Sequence, residues 1–135
     1  MSKLVFASAL TRPYGIFMIL LACALISVVD GDTVKCDDQN IRLIGNGAPF
    51  KSGFDTPETY RPKCQQELEL GRAATSRLIE LMPDVVGVED TGKHDRYGRI
   101  LGRLILKNGQ TAGEVLINEG YAKVWMPKAK IDWCS

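Results

Sequence analysis

From Leu25 onward the chain alternates between short apolar runs and clusters of turn-forming residues. Leu25 to Val29, Thr33 to Cys36 and Ile41 to Ile44 are separated by Asp30-Gly31 and by Asp37-Asp38-Gln39-Asn40, and this predicts three short strands. On the third, a two-residue period puts Ile41 and Leu43 on one face and Arg42 on the other. Asn46 to Gly53 has no period and reads as an irregular loop containing glycine and proline. From about Gln65 to Met82 the spacing becomes helical, with Leu70, Ala74, Leu78 and Leu81 on one face and Pro83 as the stop. Val85 to Glu89 and Ile100 to Leu106 predict two further strands, joined by the polar segment Asp90 to Arg99. Thr111 and Glu114 form a Thr-x-x-Glu capping box, and Gly120 stands where a helix ends, so a short helix spans about Ala112 to Glu119. Ala122 to Trp125 completes the pattern as a short strand.

Composition adds a shape to this order of elements. A chain of 135 residues with 45% hydrophobic content holds one domain with a core, and 13 glycines and 6 prolines imply many turns. Short antiparallel strands around one core favour closure over an open sheet. The expected fold is α+β and mainly β: a small, OB-like, five-stranded barrel with a packed main helix and a short second helix. The net charge is only +1, which excludes a diffuse basic surface as the basis of nucleic-acid binding.

The first residues follow different rules. Lys3 and Arg12 precede an almost unbroken apolar run from Ile16 to Ile26, and no acidic residue occurs before Asp30. This matches a signal peptide over residues 1–24, with Ala22-Cys23-Ala24 as the cleavage site and a domain at 25–135. Such a protein would be secreted or periplasmic. A long buried first strand is the competing reading, and Leu20-Leu21-Ala22-Cys23 also resembles a lipoprotein signal that would anchor Cys23. Loss of Lys3 and Arg12 with the leader would bring the net charge to about −1. It would also remove Cys23 and leave Cys36, Cys64 and Cys134, hence one bridge and one spare thiol. A Cys64–Cys134 bond is the favoured pairing, with Cys36 a small apolar core residue. No CxxC or Cys/His cluster suggests zinc.

Candidate chemistry is scattered through these turns. Asp30-Gly31-Asp32-Thr33, Arg42, Asp55-Thr56-Pro57-Glu58 and Asp95-Arg96-Tyr97-Gly98-Arg99 each have an ordinary reading as a turn or a solvated charge. Together they supply what phosphodiester hydrolysis needs. Asp32, Asp55 and a backbone carbonyl offer oxygen ligands to a hard divalent cation. Glu58 offers a base for water, and Arg42 and Arg99 offer planar, two-pronged donors to a phosphorus centre gathering negative charge. His94 reads as a solvated turn residue, not a base.

VVDGDTVKC, IRLIG, DTPET, HDRYGR and GEVLINEGYAKVW, in that order and over nearly the whole chain after the leader, resemble the staphylococcal nuclease-like (thermonuclease) family. The resemblance implies a Ca²⁺-dependent, endonucleolytic enzyme acting on DNA or RNA. It would cut between phosphorus and the 5′ oxygen and leave a 3′-phosphate. Asp32, Asp55 and the Thr56 carbonyl would hold Ca²⁺, Glu58 would act on the water, and Arg42 and Arg99 would clamp the phosphate, Arg99 also at the leaving oxygen. Arg96 and Tyr97 would lie near a neighbouring phosphate. A monomer with no small-molecule cofactor is expected. Three departures stand out: the intervening 46–53 segment, the lack of the type member's third helix, and no clear counterpart to its base-stacking aromatics. Tyr60, Phe54 or Trp125 are the candidates to stack instead, with core packing the expected place of Trp125. The alternative reading is a non-catalytic, OB-like nucleic-acid-binding module.

Overall fold

The computed structural model of the protein describes residues 9–11, 17–45, 53–125 and 130–135. Its elements in chain order are β1 (Ala9–Thr11), β2 (Phe17–Leu20), β3 (Ile26–Asp30), β4 (Thr33–Cys36), β5 (Gln39–Leu43), β6 (Phe54–Asp55), α1 (Gln65–Leu81), β7 (Val85–His94), β8 (Ile100–Leu106), α2 (Ala112–Asn118) and β9 (Lys123–Val124). Seven strands form one mixed sheet in the order β1-β2-β7-β8-β5-β4-β3, and β6 pairs with β9 in a separate two-stranded ladder. All neighbours in the large sheet are antiparallel except β5 and β8, whose parallel register sets Arg42 beside Leu101.

The mainly β, α+β class with two helices follows the sequence pattern, whereas a closed five-stranded barrel is not seen. Among the described residues no ladder joins β3 back to β7. The free edge of β7 is taken by β2, where Ile19 and Leu20 pair with Asp90 and Glu89. Those strand residues come from the apolar run that the sequence pattern assigns to a leader. Leu20 is buried, the Leu21 N–H donates to the Val88 carbonyl at 2.8 Å, and Cys23 forms a disulfide with Cys36 across a Cα–Cα distance of 5.2 Å. Cys36 faces the core as expected, but it is bridged rather than a lone apolar residue. Cys64–Cys134, the pairing favoured from sequence, is also formed.

Val34, Ile41, Leu43, Phe54, Leu78, Val88, Leu104 and Leu116 fill the core. In α1 the buried face is Glu67, Gly71, Ala74, Leu78 and Leu81, while Leu70 is 40% exposed. Ala74, Leu78 and Leu81 thus face the core as expected, and only the first position of the stripe differs, with Gly71 buried in place of Leu70. Gly71 is the cause: a Cβ there would sit 2.6 Å from the Pro57 carbonyl oxygen, so the bare backbone meets the loop 55–59 directly. The capping box of α2 is complete, with the Thr111 hydroxyl accepting from Glu114 N–H and the Glu114 carboxylate accepting from Thr111 N–H. The Asn46–Gly53 loop lies outside the described residues apart from Gly53, which bridges to Ile44.

Candidate functional site

The β3–β4 hairpin places Asp30 and Asp32 side by side. The Asp32 N–H donates to Asp30 Oδ1 at 3.1 Å, and the Thr33 hydroxyl donates to Asp32 Oδ1 at 3.2 Å. Register then does the next step, because Thr33 on β4 is paired with Arg42 on β5. The Arg42 guanidinium reaches back over the hairpin and forward to β6. Its Nη1 lies 3.0 Å from Asp32 Oδ2 and donates to the Asp32 carbonyl, while Nη2 donates to the Phe54 carbonyl at 2.9 Å and lies 3.6 Å from Asp55 Oδ1. The Thr56 N–H closes the ring by donating to Asp32 Oδ2 at 3.4 Å. Four of the expected site residues, Asp32, Arg42, Asp55 and Thr56, are thus brought into one cluster from three separate segments.

Glu58 is exposed on the loop that follows, and Arg99 precedes β8. Burial raises the Glu58 carboxyl above its ordinary range, and the charges of Asp32 and Glu67 add to this, while Arg42 and Arg99 oppose it. Burial, assisted by Asp32, Glu58 and Glu67 against Arg42, pushes Asp55 up to about 6. Asp30 is pushed up to about 7 by burial and by the Asp32 charge and hydrogen bond, with the Asp32 N–H and Arg42 pulling the other way. The cluster holds more negative charge than its one internal guanidinium balances.

Such a surplus of hard oxygen donors fits a divalent cation held by Asp32, Asp55 and the Thr56 carbonyl. Among the described residues no group of three or more His, Cys, Asp or Glu side chains is arranged as a metal site.

Arg96 and Tyr97 stand apart on an exposed turn, with Arg96 Nη2 donating to the Tyr97 hydroxyl at 2.8 Å and both Arg96 and Arg99 over the Tyr97 ring. Of the aromatics considered for base stacking, Phe54 is fully buried and unavailable. Tyr60 is 82% exposed and Trp125 42%; Trp125 is not a core residue, because its backbone is held to Gly53 at the outer end of the β6–β9 ladder. His94 is exposed, as expected, although β7 extends to include it.

Sequence reasoning did not assign Asp30, Glu67 or Asp95. Glu67 is almost fully buried in the first turn of α1, where its carboxylate accepts from Lys63 N–H at 2.6 Å and Cys64 caps the helix through sulfur. An acidic residue three positions after a helix N-cap was the available signal, but the pattern ordinarily faces solvent.

Comparison with known proteins points to one family. A family model described as staphylococcal nuclease homologue matches residues 51–132. Endonuclease YhcR of Bacillus subtilis (strain 168) is 30% identical over 105 residues, which cover 73% of this chain and 8% of that protein. An uncharacterized endonuclease of Escherichia coli is 27% identical over 105 residues, covering 75% of this chain and 59% of its own length. The chain therefore spans only a part of each of these relatives.

Proposed function

Taking as premise that this chain belongs to the staphylococcal nuclease homologue family, we propose that it is a Ca²⁺-dependent endonuclease that hydrolyses phosphodiester bonds of DNA or RNA and leaves 3′-phosphates. The observation that carries this reading is the convergence of Asp32 and Asp55 on Arg42, within 3.6 Å, from segments that are distant in sequence. Bound between Asp32, Asp55 and the Thr56 carbonyl, Ca²⁺ would supply positive charge beside the phosphate and offset the carboxylate surplus. Arg42 and Arg99 bind the non-bridging oxygens and meet the charge that develops at phosphorus. Glu58 takes the proton of the attacking water, for which its raised proton affinity suits it. Arg99 serves the departing 5′ oxygen, and Arg96 and Tyr97 meet a neighbouring phosphate.

Strands β3, β4, β5, β8 and β7 lie consecutively in the sheet and support the OB-like reading of the fold. Two disulfides support an extracytoplasmic location, and the monomeric state is part of the same proposal. No helix among the described residues is long and apolar enough to cross a membrane.

The test is turnover of plasmid and single-stranded DNA with Ca²⁺ and with EDTA. Wild type should cut only with Ca²⁺, and Mg²⁺ should replace it poorly because of its tighter octahedral shell. Glu58→Gln should lower kcat by roughly 10²–10⁴-fold with the fold intact. Folded protein that binds oligonucleotides and leaves them uncut in millimolar Ca²⁺ would establish the binding-module alternative instead.

A further inference from the structure

The turn before β8 is built around a single carboxylate. Asp95 Oδ1 accepts from the Tyr97 and Arg99 backbone N–H groups, each at 2.9 Å, and the Asp95 backbone is tied to Arg99 O and Gly98 N. Gly98, at φ +83°, takes the left-handed conformation that lets the chain reverse within so few residues. These contacts need only Oδ1. The second oxygen, Oδ2, is engaged with the Arg99 side chain, 2.6 Å from Nε.

That contact has a geometric consequence. A guanidinium gripped at Nε is fixed along one edge, and the Tyr97 ring lies 5.6 Å from its central carbon. Among the described residues neither Nη nitrogen of Arg99 donates to another protein group. The end of the fork that pairs with a phosphate is therefore left open while the rest of the group is held. Arg42 differs: its Nη atoms already donate to backbone carbonyls and face two carboxylates.

We infer that Asp95 is a positioning residue for the nuclease reaction, holding Arg99 by Nε so that both Nη groups meet the scissile phosphate without first being ordered. The inference rests on the nuclease reading above. Asp95 does not touch substrate in this role; its oxygens are occupied by protein donors, and its charge would repel a phosphate. Its effect passes through Arg99, which separates it from a residue that merely shapes a turn.

The experiment is a double-mutant cycle on the full chain with Asp95→Asn and Arg99→Ala, read as kcat and KM, together with ¹⁵N NMR of the arginine Nε–H groups. Asparagine keeps an oxygen for the turn but sets an amide or a neutral oxygen against Nε. Asp95→Asn should lower kcat about 10–100-fold with little change in KM. On the Arg99→Ala background it should change kcat less than twofold. The Arg99 Nε–H signal should be protected from exchange in wild type and lost in Asp95→Asn. Equal losses in both backgrounds, or a fast-exchanging Arg99 Nε–H in wild type, overturn the inference. A wild type without turnover defeats the nuclease reading instead, and the NMR arm then still decides whether Asp95 holds Arg99.

Discussion

Burial of Asp30 and Asp55 beside Asp32, only partly offset by Arg42, sets how the site responds to pH. Burial first, and then the charge of Asp32, raises Asp30 and Asp55 from near 3.8 when unfolded to about 7 and about 6 in the fold. Glu58 and Glu67 add to the rise at Asp55, and Arg42 only partly relieves both. Between about pH 4 and about pH 7 the native state therefore holds more protons than the unfolded chain, and stability falls as pH rises through that window. In EDTA the Tm should drop from pH 5 to pH 8, and Asp30→Asn should flatten the slope. Saturating Ca²⁺ should remove most of the drop, because a cation favours the ionised carboxylates. A metal-free Tm that rises over the same range would mean the carboxylates are not raised.

At this scale the sequence speaks where a charged residue carries its own turn signal, and of the residues so marked the structure gathers Asp32 and Asp55 about Arg42. Glu67 and Asp95 were silent because their roles depend on which backbone N–H groups or side chains the fold brings to them. Trp125 departs from its expected core place for a related reason: hydrophobicity says that indole prefers burial, but the backbone beside the β6–β9 ladder leaves it 42% exposed.

Elements were more legible than residues, because their signals are local. The α2 capping box, the stop at Pro83 and the strands flanking Asp30-Gly31 depend on neighbours in sequence and appear as expected. The face of α1 holds at Ala74, Leu78 and Leu81 and departs only at its N-terminal end, where Gly71 rather than Leu70 is buried because it meets a loop more than ten residues away. This contact yields a test in which two effects compete. Alanine is the better helix former by about 1 kcal/mol. A Cβ at 71, however, would lie 2.6 Å from Pro57 O and 2.7 Å from Thr59 Cγ2, and overpacking of this kind costs about 1–3 kcal/mol. Gly71→Ala should therefore lower Tm, and it should lower turnover further, since the displaced loop carries Thr56 and Glu58. Ser76→Ala, exposed on the same helix, should leave both nearly unchanged. A Gly71→Ala protein with raised Tm and full turnover would show that the loop yields freely. The Cys64–Cys134 bridge works at the same place, tying the N-cap of α1 to the C-terminal tail, where Gln66 also donates to Trp133 O. Closing a 70-residue separation constrains the unfolded chain by about 4 kcal/mol in the chain-entropy model.

For the whole molecule the open question is where the folded domain begins, and an apolar run answers it ambiguously in sequence, since an h-region and a buried edge strand have the same composition. The fold uses residues 17–25 as structure. Leu20 packs beneath Gly87, Leu21 hydrogen-bonds to Val88, and the Ala24 and Leu25 N–H groups both donate to the Asp37 carboxylate, at 3.0 and 2.9 Å. Cleavage after Ala24 would remove β2, expose the edge of β7 and leave Cys36 as a buried thiol without Cys23. It would also cost the bridge, a closed loop of this size being worth about 3 kcal/mol by the same model. A lipid on Cys23 is incompatible with the disulfide, because the sulfur cannot serve both. Export and retention of both Leu20 and Cys23 are compatible only if any processing falls ahead of Leu20. Protein recovered from its native host should therefore give, by intact mass and non-reducing peptide mapping, a chain that includes Leu20 and a Cys23–Cys36 peptide. A mature N-terminus at Leu25 with Cys36 free, or a lipid-sized mass on Cys23, would show that β2 and the first bridge are not part of the mature protein.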